Sequence, residues 1–204
     1  MRFLGLLFLA SFVVVFPAVT WASGAQQMSG QEKPVMDKQM MDMMMKYGMP
    51  GKNHEFLKKY VGDWDIEVKN WAAPGAEPMT SKASEKFRLI FDGRFLEGQF
   101  EGMMMGMGFQ GRQIIGYDLY QNRYVSFWID NMSTAFFLTS GTLNAAGNVM
   151  AETGTWPNPM SGGTQKVRFV TTFMKDGKYT FEMFMPAPDG KEYKSMELRG
   201  TRKM

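Results

Sequence analysis

Methionine is the residue type through which this chain could first do chemistry. There are 22 of them, and Met40-Met41, Met43-Met44-Met45 and Met103-Met104-Met105 with Met107 form dense clusters. Thioether sulfur is a soft donor suited to Cu(I). The same side chain also fills irregular apolar gaps and adaptable surfaces. Met36, Met40, Met43, Met44 and Tyr47 recur at helical spacing, with Asp37, Lys38, Asp42 and Lys46 on the other side. No histidine or cysteine joins either cluster. The spacing therefore favours an amphipathic helix lying on a larger body or across its opening, and no metal ligand is assigned. A copper-binding envelope protein using the Met clusters is the alternative.

His54 is the single histidine and cysteine is absent. The missing thiols exclude disulfides, thiolate zinc sites, thiol catalysis and lipid attachment to Cys. A haem ligand should face an interior, whereas His54 stands on a short helix before the first strand, as a helix-end histidine does. One histidine so placed also argues against a Ser-His-Asp triad. No catalytic residue and no cofactor is assigned; an envelope enzyme of unknown reaction is the weakest reading.

Two carboxylates on one side of a cavity at a fixed gap would make an acid–base pair. Asp63 and Asp65 share a face opposite Trp64 and so meet solvent. Asp118 sits where an Asx-turn is expected. Asp130 shares its face with Trp128 and Tyr124 and must be paired if it is buried. Its candidate partners are Arg88, Arg112, the Thr134 hydroxyl and the backbone of its own turn, with the turn preferred. Trp64, Trp71, Phe87, Phe109, Tyr117, Trp128 and Tyr179 are spread over many strands. They suit either a plain core or the apolar lining of a small-ligand pocket. The residues assigned to ligand binding are Arg88, Tyr117, Tyr124, Trp128 and Asp130, the aromatics stacking and the charges orienting.

The elements that must position these side chains follow one design, clearest between Gly116 and Thr134. Tyr124, Ser126, Trp128 and Asp130 point to one face, and Val125, Phe127 and Ile129 to the other. Both faces are apolar, so the outer one needs a cover, either the Met helix or a second copy in a homodimer. The pattern predicts a helix over Val35–Tyr47, stopped by Gly48, Pro50 and Gly51. A short second helix runs from His54 to Tyr60, capped by Asn53. Ten strands follow: Trp64–Val68, Glu85–Phe91, Arg94–Glu101, Phe109–Tyr117, Arg123–Asp130, Thr134–Thr142, Asn148–Thr155, Val167–Met174, Lys178–Met185 and Glu192–Arg202. Gly102–Gly108 reads as a Gly/Met loop and Trp156–Gly163 as a long loop. Short turns such as Asp92-Gly93, Asp176-Gly177 and Asp189-Gly190 make neighbours antiparallel. Ten such strands would leave raw edges as an open sheet, so an up-and-down β-barrel is expected. Ten also exceeds the eight that side chains alone fill, which predicts an internal cavity.

The chain has 204 residues, 45% of them hydrophobic and 21% charged, enough for one domain with a real core. The formal net charge is +3, and no Lys/Arg run tracks phosphates, so nucleic acid is set aside. Residues 1–22 read as a signal peptide, with Arg2 as the positive start, Phe3–Phe16 as the apolar run, and cleavage after Ala22 or Ala25. No later stretch is long or apolar enough to span a membrane as a helix. The expected location is the bacterial periplasm or outside the cell. Residues 23–34 are polar and irregular, residues 35–60 helical, and residues 61–204 the barrel.

Residues about 50 to 203 resemble the DUF1579 proteins, a bacterial family of unknown function. The matching pieces are PGKNHEFLKKYVGDWD, DGRFLEG, the Gly/Met stretch with Phe109-Gln-Gly, GYD, YVSFWIDNMST and DGKEYKSMELRGTR. The resemblance implies a lipocalin-like or fatty-acid-binding-protein-like barrel and no settled activity. The Met-rich helix and the Trp156–Gly163 stretch depart from it. Gly62-x-Trp64 is also similar to the G-x-W of calycin-type barrels, in which a basic residue of the last strand covers the tryptophan. Arg202 is the matching residue here and Arg199 the second choice. These four are assigned to barrel closure.

Overall fold

Alternation of apolar and polar residues builds β1 (Gly62–Asn70), β2 (Met79–Ile90), β3 (Phe95–Met104), β4 (Met107–Asp118) and β5 (Arg123–Asp130). It continues through β6 (Phe137–Leu143), β7 (Val149–Asn158), β8 (Gly163–Phe173), β9 (Tyr179–Pro186) and β10 (Glu192–Arg202). This is a computed structural model in which residues 37–158 and 162–204 are described. The expected signal peptide, its cleavage sites, the segment 23–34 and Met36 lie outside the described residues. Each strand pairs with its sequence neighbours, and β1 pairs with β10, so the sheet closes into an antiparallel up-and-down barrel of ten strands. Closure leaves no edge strand to template aggregation.

Two expected loops are hairpins instead. β3 and β4 continue to Met104 and Met107, with only Met105-Gly106 between them. Both turn residues have positive φ, 50° and 79°, the twist that a two-residue hairpin turn needs. Ladder pairing overrides the loop-like composition here. The described residues of the Trp156–Gly163 stretch are likewise mostly strand, since Trp156 pairs with Gln165 and Asn158 with Gly163. Pro157 sits close to the strand end, where a missing N–H costs the ladder little.

Before the barrel come α1 (Lys38–Gly48) and a 3-10 helix (Lys52–Lys59). The amphipathic pattern does make a helix, but it lies neither on the barrel nor across its opening. No residue of α1 is buried, and Met40, Met43 and Met44 are each more than half exposed. The end of this segment is anchored to the barrel: Tyr47 stacks on Tyr120, and Arg94 donates to the Gly48 carbonyl at 2.7 Å. Among the described residues no helix is long and apolar enough to cross a membrane. The 3-10 helix is the opposite case. Phe56, Leu57 and Tyr60 are buried, and Leu57 is fully so. Its N-cap is Gly51 rather than Asn53; the His54 imidazole reaches back and its Nδ1 accepts the Gly51 N–H at 3.0 Å.

The 3-10 helix seals one end of the barrel. The Tyr124 hydroxyl donates to the Asn53 carbonyl at 2.6 Å, and Lys59 donates to the Gly147 carbonyl at 2.6 Å. At the seam of the barrel the Trp64 indole N–H donates to the Tyr60 carbonyl at 2.7 Å. The Arg202 guanidinium lies 4.2 Å from the centre of the Trp64 ring. It also donates to the Lys59 carbonyl at 2.9 Å and to the Val61 carbonyl, acceptors that the end of a helix leaves unsatisfied. Gly62 has φ of 132°, and a Cβ there would sit 2.5 Å from that guanidinium. The G-x-W spacing thus has a local cause: the glycine makes room for the arginine that covers the tryptophan. Arg199 faces outward and pairs with Glu197 at 2.6 Å, so it takes no part in covering Trp64.

Candidate functional site

Strand alternation sends every second side chain into the barrel, and the two halves of the interior differ. Around the sealed floor Trp64, Phe87, Leu96, Ile115, Tyr124, Phe173 and Tyr179 are buried. Rings meet edge-to-face there, as in Trp64–Tyr179 with centroids 4.9 Å apart and Tyr60–Phe173 at 4.7 Å. Several inward glycines lie beneath these rings: a Cβ on Gly98 would strike Phe87, and one on Gly200 would strike Tyr179. Towards the other end Phe109, Trp128, Phe137, Trp156, Phe181 and Met196 are only half-buried although they point inward. They form an aromatic arc across the sheet. Phe109 and Trp128 stack, Phe137 lies 4.4 Å from Trp156, Trp156 5.2 Å from Phe169, and Phe169 5.1 Å from Phe181. Side chains fill the floor, while those nearer the other end keep part of their surface in solvent.

The expected ligand residues fall in three different places. Tyr117 and Tyr124 belong to the floor, edge-to-face with centroids 4.9 Å apart. Burial, helped by Tyr117, pushes the Tyr124 phenol up to about 12. Trp128 and Asp130 stand near the mouth. One Asp130 oxygen accepts the Trp128 indole N–H at 2.9 Å, and the other accepts the Met132 N–H of its own turn at 2.9 Å. Arg88 alternates with Phe87 and stands outside the barrel, bonded to Glu97 at 2.6 Å. It does not line the interior. Arg112 donates to the Gly111 carbonyl at 3.1 Å. Trp71 follows β1 at the mouth, with the Lys194 ammonium 5.3 Å from its ring centre. Asp118 forms the expected Asx-turn, accepting the Tyr120 and Gln121 N–H groups at 2.8 and 3.0 Å. Asp65 meets Lys203 at 3.2 Å on the outer surface.

Two inward carboxyls stand outside that expected set. Glu85 on β2 is 8% exposed, and the Tyr179 hydroxyl donates to it. Burial alone pushes Glu85 up to about 8. Glu152 on β7 is 2% exposed and accepts from the Ser126 hydroxyl at 2.6 Å and the Thr139 hydroxyl at 3.2 Å. Burial also raises Glu152, and the two hydroxyls only partly offset it. Tyr60 rises from the floor. Burial moves its phenol far up, and the charges of Glu152, Glu85 and Tyr124 act in the same direction. The Thr171 hydroxyl eases this burial, yet no group meets the Tyr60 hydroxyl in hydrogen-bond geometry. The Trp156 indole N–H is buried without a partner as well. The signal for both acids is parity: Glu85 keeps step with Phe87 and Leu89, and Glu152 with Met150 and Trp156.

No buried Lys or Arg accompanies them among the described residues. Glu197 shows the contrast. It is buried on the outer face, and burial works against its charge. Lys194 and Arg199 flank it and hold its carboxyl below the usual range. His54 is lowered by burial and has its Nδ1 engaged with Gly51. Among the described residues no group of three or more His, Asp or Glu is placed to hold a metal ion.

The barrel is similar to one solved by crystallography, Rv2717c from M. tuberculosis. The two share 11% sequence identity with a TM-score of 0.55, over 76% of this chain and 100% of that one. At that identity the likeness is one of fold. No curated protein matches the chain. The model of the family described as "Protein of unknown function (DUF1579)" matches residues 49–202, from just before the 3-10 helix to the arginine over Trp64. The chain belongs to the DUF1579 family.

Proposed function

We propose that the protein is a non-enzymatic binding module whose barrel holds a small hydrophobic or amphipathic ligand. The observation that carries this reading is the aromatic arc left half-buried above a sealed floor. An apolar concave wall with a few convergent polar groups is the usual make-up of a small-ligand site. Export to the periplasm or beyond fits the apolar run at residues 3–16. Native mass spectrometry of the full chain purified from its own source tests the proposal. A retained organic mass supports it. A chain carrying no organic mass overturns it, and bound copper in its place would transfer the function to the Met clusters.

A further inference from the structure

We propose that the barrel interior is selective for a primary amine or similar small organic cation, whose charged head meets Glu85, Glu152 and the Tyr60 hydroxyl. The proposal rests on the ligand-binding reading above and adds the class of ligand. Three observations converge on it. The first is the sign of the interior. Two carboxyls are buried inside the barrel, while every described Lys and Arg keeps part of its surface in solvent. A ligand carboxylate or phosphate would therefore find acids and no counter-charge there.

The second observation is the mismatch between these acids and the buried acid outside. Glu197 is flanked by Lys194 and Arg199. Glu85 and Glu152 have only hydroxyl partners. A buried carboxyl without a cation is costly when ionised, so the empty protein keeps it protonated where it can. An incoming ammonium supplies the missing cation. The acid then gives up its proton to solvent, and the ion pair forms in a site walled off from water.

The third is the Tyr60 hydroxyl, 3% exposed as a residue, with the Thr171 hydroxyl beside it but no partner in hydrogen-bond geometry. Its ring packs at the floor against Phe87 of β2 and against Phe173 and Tyr179 on β8 and β9, so it stands between the wall that carries Glu85 and the one next to Glu152. A hydroxyl oxygen can accept from an N–H donor of a ligand. Buried polar groups in native proteins are normally paired, and a ligand N–H is a partner this hydroxyl could take.

Isothermal titration of the full chain with 2-phenylethylamine, 2-phenylethanol and phenylacetate at pH 7.5 (a probe series of one shape and three charges) tests this. Amine binding at least tenfold tighter than the alcohol, with phenylacetate weakest, is the expected result. In the Glu85→Gln, Glu152→Gln double variant, amine affinity should fall to that of the alcohol while alcohol binding stays unchanged. Tyr60→Phe should weaken the amine more than the alcohol. Equal binding of amine and alcohol by the unmodified chain overturns the amine proposal and leaves the binding reading standing. Absence of binding by all three overturns both. Should the double variant not fold, the three-probe series on the unmodified chain still decides.

Discussion

Glu85 is the residue whose chemistry reaches furthest into the behaviour of the protein. Its carboxyl titrates at about 8 in the fold, against 4.5 ordinarily. The folded state therefore holds a proton that the unfolded chain releases between those values. Stability from this group is fully present below about pH 4.5 and is lost as pH rises towards 8, by up to about 1.4 kcal/mol per pH unit. Glu152 acts in the same direction. Glu197 is lowered instead, so its contribution fails only on acidification. We expect urea unfolding to give a less stable protein at pH 8 than at pH 5.5, and Glu85→Gln to flatten that slope. An unchanged slope in the variant would remove Glu85 as its cause. Asp130 makes a different prediction. Asn at this position can still accept the Met132 N–H, but its amide would turn a donor towards the Trp128 indole N–H. Asp130→Asn should cost about 1–2 kcal/mol with little effect on ligand affinity. A thermal melt matching the unmodified protein would move Asp130 from turn support to ligand contact.

The two helical elements before the barrel contribute very differently, for a reason that can be read in burial. The 3-10 helix puts Leu57 and Phe56 into the floor, where Phe56 meets the rings of Tyr60, Tyr124 and Phe173 and Leu57 is fully buried. Leu57→Ala leaves a cavity in this packed floor, and about 2–5 kcal/mol of stability should be lost in denaturant titration. α1 buries nothing. A chain beginning at Met49 should keep its melting curve within the spread of surface substitutions, about 0.5 kcal/mol. A large loss on that truncation would mean that α1 packs on the barrel after all. The half-exposed Met43 and Met44 thus contribute little to how the barrel stands.

At the scale of the whole molecule, stability depends on joining the two ends of the barrel domain. β1 and β10 pair from Trp64–Arg202 to Asn70–Met196, and the Lys203 N–H adds a bond to the Asp63 carbonyl at 2.8 Å. Residues more than a hundred positions apart must meet before the sheet closes. Such non-local pairing is slow to form, typically milliseconds to seconds. Gly62 is the most constrained point of this seam. Gly62→Ala forces a side chain into positive φ and against Arg202 at once. We expect about 1–3 kcal/mol of destabilisation and faster unfolding in stopped-flow measurements. Arg202→Lys removes the flat guanidinium from Trp64 and should relieve part of the Gly62→Ala penalty in a double-mutant cycle. Strict additivity would show that the two residues do not share one space.

Much of the fold was legible in the sequence because a strand's period of two is local. Trp64, Ile66 and Val68 alternate with Asp63, Asp65 and Glu67, and no distant contact can change which of them share a face. The same rule sets Arg88 opposite Phe87, and so outside, against its assignment to the ligand set, and it sets Glu85 and Glu152 in step with buried residues although neither is in that set. Turn chemistry such as Asp92-Gly93 is equally local. Tertiary structure decided what alternation leaves open. Composition made Met103–Met107 resemble a loop, but pairing between β3 and β4 drew it into a hairpin. Amphipathic spacing made α1 a helix, but how far its Met face is covered depends on which surface reaches it, and the barrel meets that face at Tyr47, leaving Met43 and Met44 more than half exposed. Which acids are deprived of a cation is the same kind of question. Glu197 and Glu85 differ in their neighbours across the sheet, and those neighbours are set by register and closure, which bring together residues that the sequence keeps far apart.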